Sequence, residues 1–157
     1  MKKIKLTDLL IFIAATELVG ALSALFSGGS FAGYYNTLVK PPISPAGIVF
    51  PVAWAILYAL MGTSCYLISL SQSDRKHLAC KLYILQLFIN FLWSPVFFGT
   101  KSFTGAVIIS AVLLVTVILT NITFFGIDET AGVLFAPYAI WSAYALYLSI
   151  GFLVLNT

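Results

Sequence analysis

Charged residues are what this sequence has least of. Lysine and arginine number 8 and aspartate and glutamate 5 in 157 residues, so only 8% of the chain is charged. A soluble domain carries about 25% charged residues, whereas here 61% of residues are hydrophobic and the mean hydropathy is +1.06. Such a composition excludes a mainly water-facing surface and predicts that lipid is the main solvent.

Residues that serve ordinary catalysis are equally scarce. The chain has one histidine and two cysteines, and it shows no glycine-rich phosphate loop, no Ser/His/Asp or Cys/His set and no metal cluster. His77 stands beside charged residues and is predicted to lie on the surface, while Cys65 and Cys80 are expected to be small hydrophobic residues in apolar segments. The sequence therefore shows no machinery for hydrolytic or phosphoryl-transfer chemistry, and neither a metal nor a required cofactor is predicted.

What the sequence has in quantity is long apolar runs. They are close to the roughly 20 residues that a membrane-spanning helix needs, and helices are the spanning elements that this pattern supports. The five predicted segments lie at about 6–26, 48–70, 78–98, 104–125 and 131–155. We therefore predict an all-α integral membrane protein, a bundle of five transmembrane helices forming a single domain over 1–157.

The connections predict how the helices are arranged. Three of them, 71–77, 99–103 and 126–130, are short, which favours antiparallel neighbours in the bundle. Only 27–47 is long. Its Pro41, Pro42 and Pro45 are expected to keep it extended and stiff, as a lid, and an SH3-type ligand is the rejected reading of the same prolines. A long loop of this kind is more often functional than idle.

The first segment has a second reading. It resembles a secretory signal peptide with a possible cleavage site at Ala21-x-Ser23, but its length and the presence of Glu17 favour a retained helix. Glu17 itself is open to three interpretations: a buried neutral acid, a snorkelling residue at the rim, or a group in a site. Small residues at Gly20-x-x-x-Ala24-x-x-x-Gly28 permit close helix approach, within the bundle or across a dimer.

Lysine and arginine are distributed unevenly between the two ends of the predicted bundle. One end has Lys2, Lys3, Lys5, Arg75, Lys76 and Lys81, and the other has Lys40 and Lys101. The positive-inside rule then predicts a cytoplasmic N-terminus and an outside C-terminus. The excess of positive charge (+3) concerns membrane orientation, and no nucleic-acid partner is expected.

Aromatic and polar residues recur together at helical spacing on three segments. The faces are Trp54, Tyr58 and Met61; Asn90, Trp93, Ser94 and Phe97; and Tyr138, Trp141, Ser142 and Ala145. They indicate a partly apolar small-molecule cavity or, alternatively, interfacial aromatic belts with polar groups joining helices. Asn90 is likewise a candidate ligand donor or an interhelical hydrogen-bond donor, since an amide in hydrocarbon needs partners.

Four motifs in order resemble one known family, the TspO/MBR proteins, which are bacterial tryptophan-rich sensory proteins and the mitochondrial translocator protein or peripheral-type benzodiazepine receptor. The motifs are Tyr35 with Leu38-x-Lys40-Pro41 and Pro45; Phe50-Pro-x-x-Trp54-x-x-x-Tyr58-x-x-Met61-Gly62; Gln86-Leu-x-x-Asn90-x-x-Trp93-Ser-Pro95-x-Phe97-Phe98-Gly99; and Pro137-Tyr138-x-x-Trp141-x-x-x-Ala145. They span residues 34 to 145, nearly the whole chain.

The resemblance implies a receptor or sensor in a bacterial cell membrane, usually a homodimer, with a pocket under the first loop. It implies binding of porphyrins such as protoporphyrin IX and of benzodiazepine-type or isoquinoline ligands. The ligand contacts that it implies are Tyr35, Pro41, Trp54, Asn90, Trp93, Ser94, Trp141 and Ala145. Some relatives degrade porphyrin in light, which would make Trp54 and Trp141 catalytic; a transporter is the third possibility.

This chain also departs from the family pattern. Tyr34 and Ile43 stand where the family often has tryptophan in the loop. No lysine or arginine follows Tyr147, so the sterol motif of the animal proteins is absent and sterol binding is not implied.

Overall fold

The computed structural model describes residues 4–28 and 31–157, which form six α-helices and one turn of π-helix. The elements are α1 (Leu6–Phe26), α2 (Phe31–Thr37), α3 (Val49–Ser69), α4 (Lys76–Ser94), the π turn (Pro95–Gly99), α5 (Phe103–Phe125) and α6 (Glu129–Asn156). Five are long and apolar enough to cross a membrane: α1, α3, α4 with the π turn, α5 and α6. The predicted five-helix architecture is confirmed, with bounds that differ from the prediction by at most two residues except where α4 gives way to the π turn.

The five long helices form a closed ring. Around it, α1 contacts α3, α3 contacts α6, α6 contacts α5, α5 contacts α4, and α4 returns to α1. Short links join ring neighbours at α4–α5 and α5–α6, as predicted. The helices α3 and α4, also joined by a short link, contact each other less extensively than the ring neighbours do, because α1 lies between them in the ring.

Two glycines allow α1 to lie against α3. A Cβ atom on Gly62 would stand 2.7 Å from the Cα atom of Ile13, and one on Gly20 would stand 2.2 Å from the Tyr58 ring. At Gly62 only glycine permits the observed distance between the two helix backbones, and at Gly20 a Cβ atom would displace the Tyr58 ring. The predicted close approach at Gly20 is thus confirmed, within the bundle.

Hydroxyl groups then connect α1 to α4. The Thr16 and Tyr83 hydroxyls are 2.8 Å apart, and the Ser27 hydroxyl donates to Ser94 Oγ at 2.9 Å. Hydrogen bonds between helices are effective in a medium that offers no competing water. α1 is therefore a packed member of the bundle.

The π turn begins where proline interrupts α4. Pro95 has no N–H group to donate to the carbonyl of Phe91, and the chain widens so that Thr100 N donates to Pro95 O at 3.0 Å. The Ser23 hydroxyl of α1 donates to the Phe91 carbonyl at 2.7 Å. A carbonyl deprived of its helical donor thereby gains one from the neighbouring helix.

The segment between α1 and α3 closes one end of the ring, which we call the lid end. This lid, residues 31–48, contains α2 and then a β-turn in which Ser44 N donates to Pro41 O at 3.3 Å. Ile43 adopts φ 65° in this turn, a conformation that favours glycine or asparagine. At Pro41 and Pro42 the lid therefore forms a turn in place of the predicted extended backbone.

Candidate functional site

Two aromatic cores lie one above the other inside the ring. The core at the lid end includes Tyr35, Phe50, Phe97, Phe98 and Phe152. The other core, further from the lid, includes Met61, Phe124, Phe135 and Tyr138. Trp54 and Trp141 pack against both cores.

A small enclosed space, the inner cavity, lies beneath the lid at this boundary. Its lining is mainly aromatic and comprises Tyr35, Phe50, Trp54, Asn90, Trp93, Phe97, Phe98, Ser110, Leu113, Trp141, Ser142, Tyr144, Ala145, Leu148 and Phe152. It holds about 20 Å³, room for one water molecule. A large ligand can therefore enter it only if lid or aromatic side chains move.

All three tryptophans of the chain reach the inner cavity. The Trp54 and Trp141 rings meet edge to face with centroids 6.2 Å apart, and Trp54 stacks on Tyr58 at 5.3 Å. Trp93 stacks on Phe97 at 5.0 Å. These arrangements suit the aromatic quadrupole and leave a polarizable wall to which a flat ring system can bind.

Few polar groups interrupt this wall. Asn90 Nδ2 donates to Tyr58 Oη at 2.9 Å, which joins α4 to α3. Trp93 Nε1 donates to Ser149 Oγ at 3.3 Å. The indole N–H groups of Trp54 and Trp141 donate to no acceptor within 4–28 and 31–157, so both are available to a ligand oxygen or nitrogen.

Tyr35 closes the inner cavity from above. Its ring is 1% exposed and packs edge to face on Phe50 at 5.2 Å, and its hydroxyl donates to Pro45 O at 2.7 Å. Burial raises the pKa of this phenol above its ordinary value, although its hydrogen bond with Ser44 works in the opposite direction. Lys40 Nζ stands 4.4 Å from the centre of the same ring, a cation–π contact at the lid surface.

A second and larger space, the lateral cavity, opens between α1 and α3 and reaches α4. It holds about 520 Å³ and is lined by Glu17, Gly20, Ala21, Ser23, Ala24, Ser27, Phe50, Pro51, Trp54, Ala55, Tyr58, Asn90, Trp93, Ser94 and Phe98. This volume lies within the usual range for small-molecule sites. Five residues line both cavities and form the partition between them: Phe50, Trp54, Asn90, Trp93 and Phe98.

The structure brings together seven of the eight residues that the family resemblance implies. Six line the inner cavity: Tyr35, Trp54, Asn90, Trp93, Trp141 and Ala145. Ser94 lines only the lateral cavity. Pro41 lines neither, because it packs on α6, where a Cβ atom on Gly151 would be 2.5 Å away; it positions the lid. Ligand contact by these residues stays a prediction.

Sequence reasoning missed the lateral cavity. Its α1 wall comes from the small residues Gly20, Ala24 and Ser27, at intervals that the sequence shows, and from Glu17. The sequence showed this spacing as a face for helix packing. The cavity forms because the neighbouring helix α3 also has a small residue, Ala55, opposite that face.

His77 is exposed, as predicted, and both cysteines are free, Cys65 buried and Cys80 half-buried.

These features define a class: a helical membrane bundle with a tryptophan-lined site beneath a lid. The TspO/MBR family model matches residues 12–155, and the chain belongs to the TspO/MBR family.

Individual relatives agree with this assignment. The tryptophan-rich sensory protein of Cereibacter sphaeroides is 37% identical over 147 residues, covering 94% of this chain and 90% of the relative. Protein CrtK of Rhodobacter capsulatus is 33% identical over 138 residues, covering 87% and 84%. The translocator protein of Bos taurus is 29% identical over 137 residues, covering 85% and 81%.

Proposed function

We propose that this chain is a membrane receptor or sensor that binds porphyrins, such as protoporphyrin IX, and other flat hydrophobic ligands of benzodiazepine or isoquinoline type. The observation that carries the proposal is the convergence of three tryptophans from α3, α4 and α6 beneath one lid. Aromatic faces favour flat conjugated ligands, and membership of the TspO/MBR family supports the same class. Lys40, at the lid surface, would meet the carboxylates of a porphyrin.

Replacing two cavity tryptophans tests this proposal. In a Trp54→Phe, Trp141→Phe double variant we expect protoporphyrin IX to bind about tenfold more weakly, since each replaced ring loses about 0.5–1.5 kcal/mol of aromatic contact. The measurement is a titration of the porphyrin absorption band with purified protein in detergent. Phe88→Leu is the control, because Phe88 lies on the exposed face of α4 and is 60% exposed. Equal affinity in the double variant and the parent would exclude this site.

The alternative function is a light-dependent porphyrin-degrading enzyme with Trp54 and Trp141 as its catalytic residues. The observation in its favour is the continuous aromatic contact from Trp141 through Trp54 to Tyr58, a path along which Tyr58 can give an electron to an oxidised tryptophan. Illumination of the complex in air should then bleach protoporphyrin IX faster than light alone. Equal bleaching rates with and without protein would exclude an enzymatic function.

Uptake of protoporphyrin IX into proteoliposomes tests the remaining candidate function, that of a transporter.

We also propose the orientation and the assembly. The excess of lysine and arginine opposite the lid supports a cytoplasmic N-terminus, with the lid and the C-terminus outside a bacterial cell membrane. Cysteine-reactive labelling of a Ser44→Cys variant on intact cells tests this orientation. The native Cys65 and Cys80 lie within the spanning helices α3 and α4, away from the lid.

The homodimer is proposed from the family resemblance, and light scattering of the purified protein in detergent tests it.

A further inference from the structure

The lateral cavity has a polar end that the proposed porphyrin site does not use. Glu17 stands eleven residues after the start of α1 at Leu6 and nine before its end at Phe26, about 14 Å or more from either end. This depth excludes a snorkelling residue at the rim. A carboxyl group in the middle of a membrane span is costly and usually serves a function.

In the part of the chain that the structure describes, no side chain or backbone group bonds to this carboxyl group. Within 4–28 and 31–157, Glu17 makes neither a hydrogen bond nor an ion pair. Its neighbours in the cavity are an aromatic ring, that of Tyr58, and small residues of α1. A carboxylate removed from water needs a cation or hydrogen-bond donors, and a ligand in the lateral cavity can supply them.

The rest of the lateral cavity defines the ligand that could bring such a partner. From Glu17 to Ser27 the cavity follows α1 for ten residues, about 15 Å. Beyond the carboxyl group its wall is aromatic, with Trp54, Trp93 and Phe98. Aromatic faces attract both flat rings and cations, so the cavity suits an elongated ring system with a positively charged end.

The mouth of the cavity allows entry from the membrane. Ala21 and Ala24 of α1 and Pro51 and Ala55 of α3 flank it, and all four are exposed. These side chains are small or short, and they lie on spanning helices. A ligand dissolved in the bilayer can therefore reach the cavity without passing the lid.

We propose that the lateral cavity is a separate binding site for lipophilic aromatic amines in their protonated form. The ammonium group binds the Glu17 carboxylate next to the Tyr58 ring, and the aromatic part lies against Trp54 and Trp93. The site differs from the inner cavity in its charged end, because Glu17 lines only the lateral cavity and Trp141 only the inner one, although Trp54 and Trp93 line both.

A matched pair of ligands tests the charge requirement. 1-Pyrenemethylamine and 1-pyrenemethanol share their ring system, and binding of either is measured in detergent at neutral pH by energy transfer from tryptophan to pyrene. We expect the parent protein to bind the amine at least about tenfold more tightly than the alcohol, because a hydrogen bond to a charged group exceeds one between neutral groups. Glu17→Gln should abolish this preference while it keeps the shape of the side chain.

Three further variants separate the possible outcomes. Asp8→Asn removes a negative charge from the first turn of α1 and should leave the preference unchanged. Ala24→Phe fills the mouth of the lateral cavity and should weaken binding of both pyrene ligands. Trp141→Phe should weaken binding of protoporphyrin IX alone. Equal affinity of the two ligands in the parent, or a preference that survives Glu17→Gln, would overturn the proposal. The proposal would also be overturned if Asp8→Asn removed the preference for the amine as fully as Glu17→Gln does, since that result indicates general attraction by negative charge.

Discussion

Ser23 shows how one hydroxyl group can compensate for a proline on another helix. Pro95 deprives the Phe91 carbonyl of its usual donor inside a spanning helix, where no water replaces it. Ser23 is 4% exposed and donates to this carbonyl at 2.7 Å. The same contact fixes α1 beside the wall of the lateral cavity, because Ser23 also lines that cavity.

Removing this hydroxyl should destabilise the bundle. We expect Ser23→Ala to lower the free energy of unfolding by about 0.5–2 kcal/mol, the range for a hydrogen bond between membrane helices. Unfolding in mixed micelles with increasing sodium dodecyl sulfate, followed by circular dichroism, measures the change. Thr130→Ala is the control, because it also removes a hydroxyl group and Thr130 is exposed in the first turn of α6.

A second comparison isolates the role of proline. In a Pro95→Ala background the Phe91 carbonyl regains an N–H donor, so Ser23→Ala should then cost less than it does in the parent. An equal cost in both backgrounds would show that Ser23 stabilises the bundle by packing alone.

At the scale of elements, the lid is held mainly by α6. Three polar side chains of α6 bond to lid backbone: Tyr144 Oη donates to Ile43 O at 2.5 Å, Tyr147 Oη donates to Pro42 O at 2.7 Å, and Asn156 Nδ2 donates to Val39 O at 2.9 Å. Asn156 Oδ1 also accepts from Val39 N at 2.9 Å. The lid is thus stiffened by a turn and by side chains of another helix, and its prolines do not have to be extended.

Loss of two of these bonds should make the lid open more often. In a Tyr144→Phe, Tyr147→Phe double variant we expect amide hydrogens of the lid to exchange about tenfold faster or more, since two hydrogen bonds contribute about 1–3 kcal/mol. Hydrogen–deuterium exchange with mass spectrometry of lid peptides measures this. Association of protoporphyrin IX should also accelerate if the lid controls entry.

Tyr34→Phe provides the control for this experiment. The Tyr34 ring packs edge to face on Phe98 at 6.2 Å and under Lys101 Nζ at 5.1 Å, and its hydroxyl makes no hydrogen bond within 4–28 and 31–157. Its removal should leave exchange unchanged. Faster exchange in Tyr34→Phe alone, or none in the double variant, would contradict a lid held through α6.

At the scale of the whole molecule, the sequence predicted the helices far better than their neighbours. Long apolar runs determine spanning helices almost by length alone, and α1 coincides with its predicted segment. The order of the ring depends on which surfaces fit, and the sequence does not show that Gly62 faces the α1 backbone. The linear pattern also missed α2, a helix of 7 residues whose position depends on tertiary contacts.

The same limit applies to the candidate site. Helical spacing correctly placed Trp54, Asn90 and Trp141 around one space, because residues three or four apart share a face. It could not show that the inner cavity is almost filled by its own aromatic side chains, since that depends on packing between helices. Helical spacing also could not decide among the three interpretations of Glu17, because they differ only in which groups lie opposite this residue of α1.

The position of α1 between α3 and α4 therefore rests on a few close contacts, and Gly62 offers the sharpest test of them. A Cβ atom there would stand 2.7 Å from the Ile13 Cα atom and 2.9 Å from the Phe12 carbonyl oxygen. Both are backbone atoms that cannot rotate away, so Gly62→Ala must push α1 off α3. We expect it to lower the free energy of unfolding by about 1–3 kcal/mol, as overpacking does, and to change amine binding in the lateral cavity.

Gly33→Ala is the matched control, because a Cβ atom there meets nothing within 4 Å and alanine is the better helix former. The two variants should be compared in the same micellar unfolding assay, with pyrene binding measured on each folded sample. Gly33→Ala should be neutral or stabilising by up to about 1 kcal/mol. If Gly62→Ala were as stable as the parent, α1 could not pack on α3 at the observed distance, and the lateral cavity between them would lose its wall.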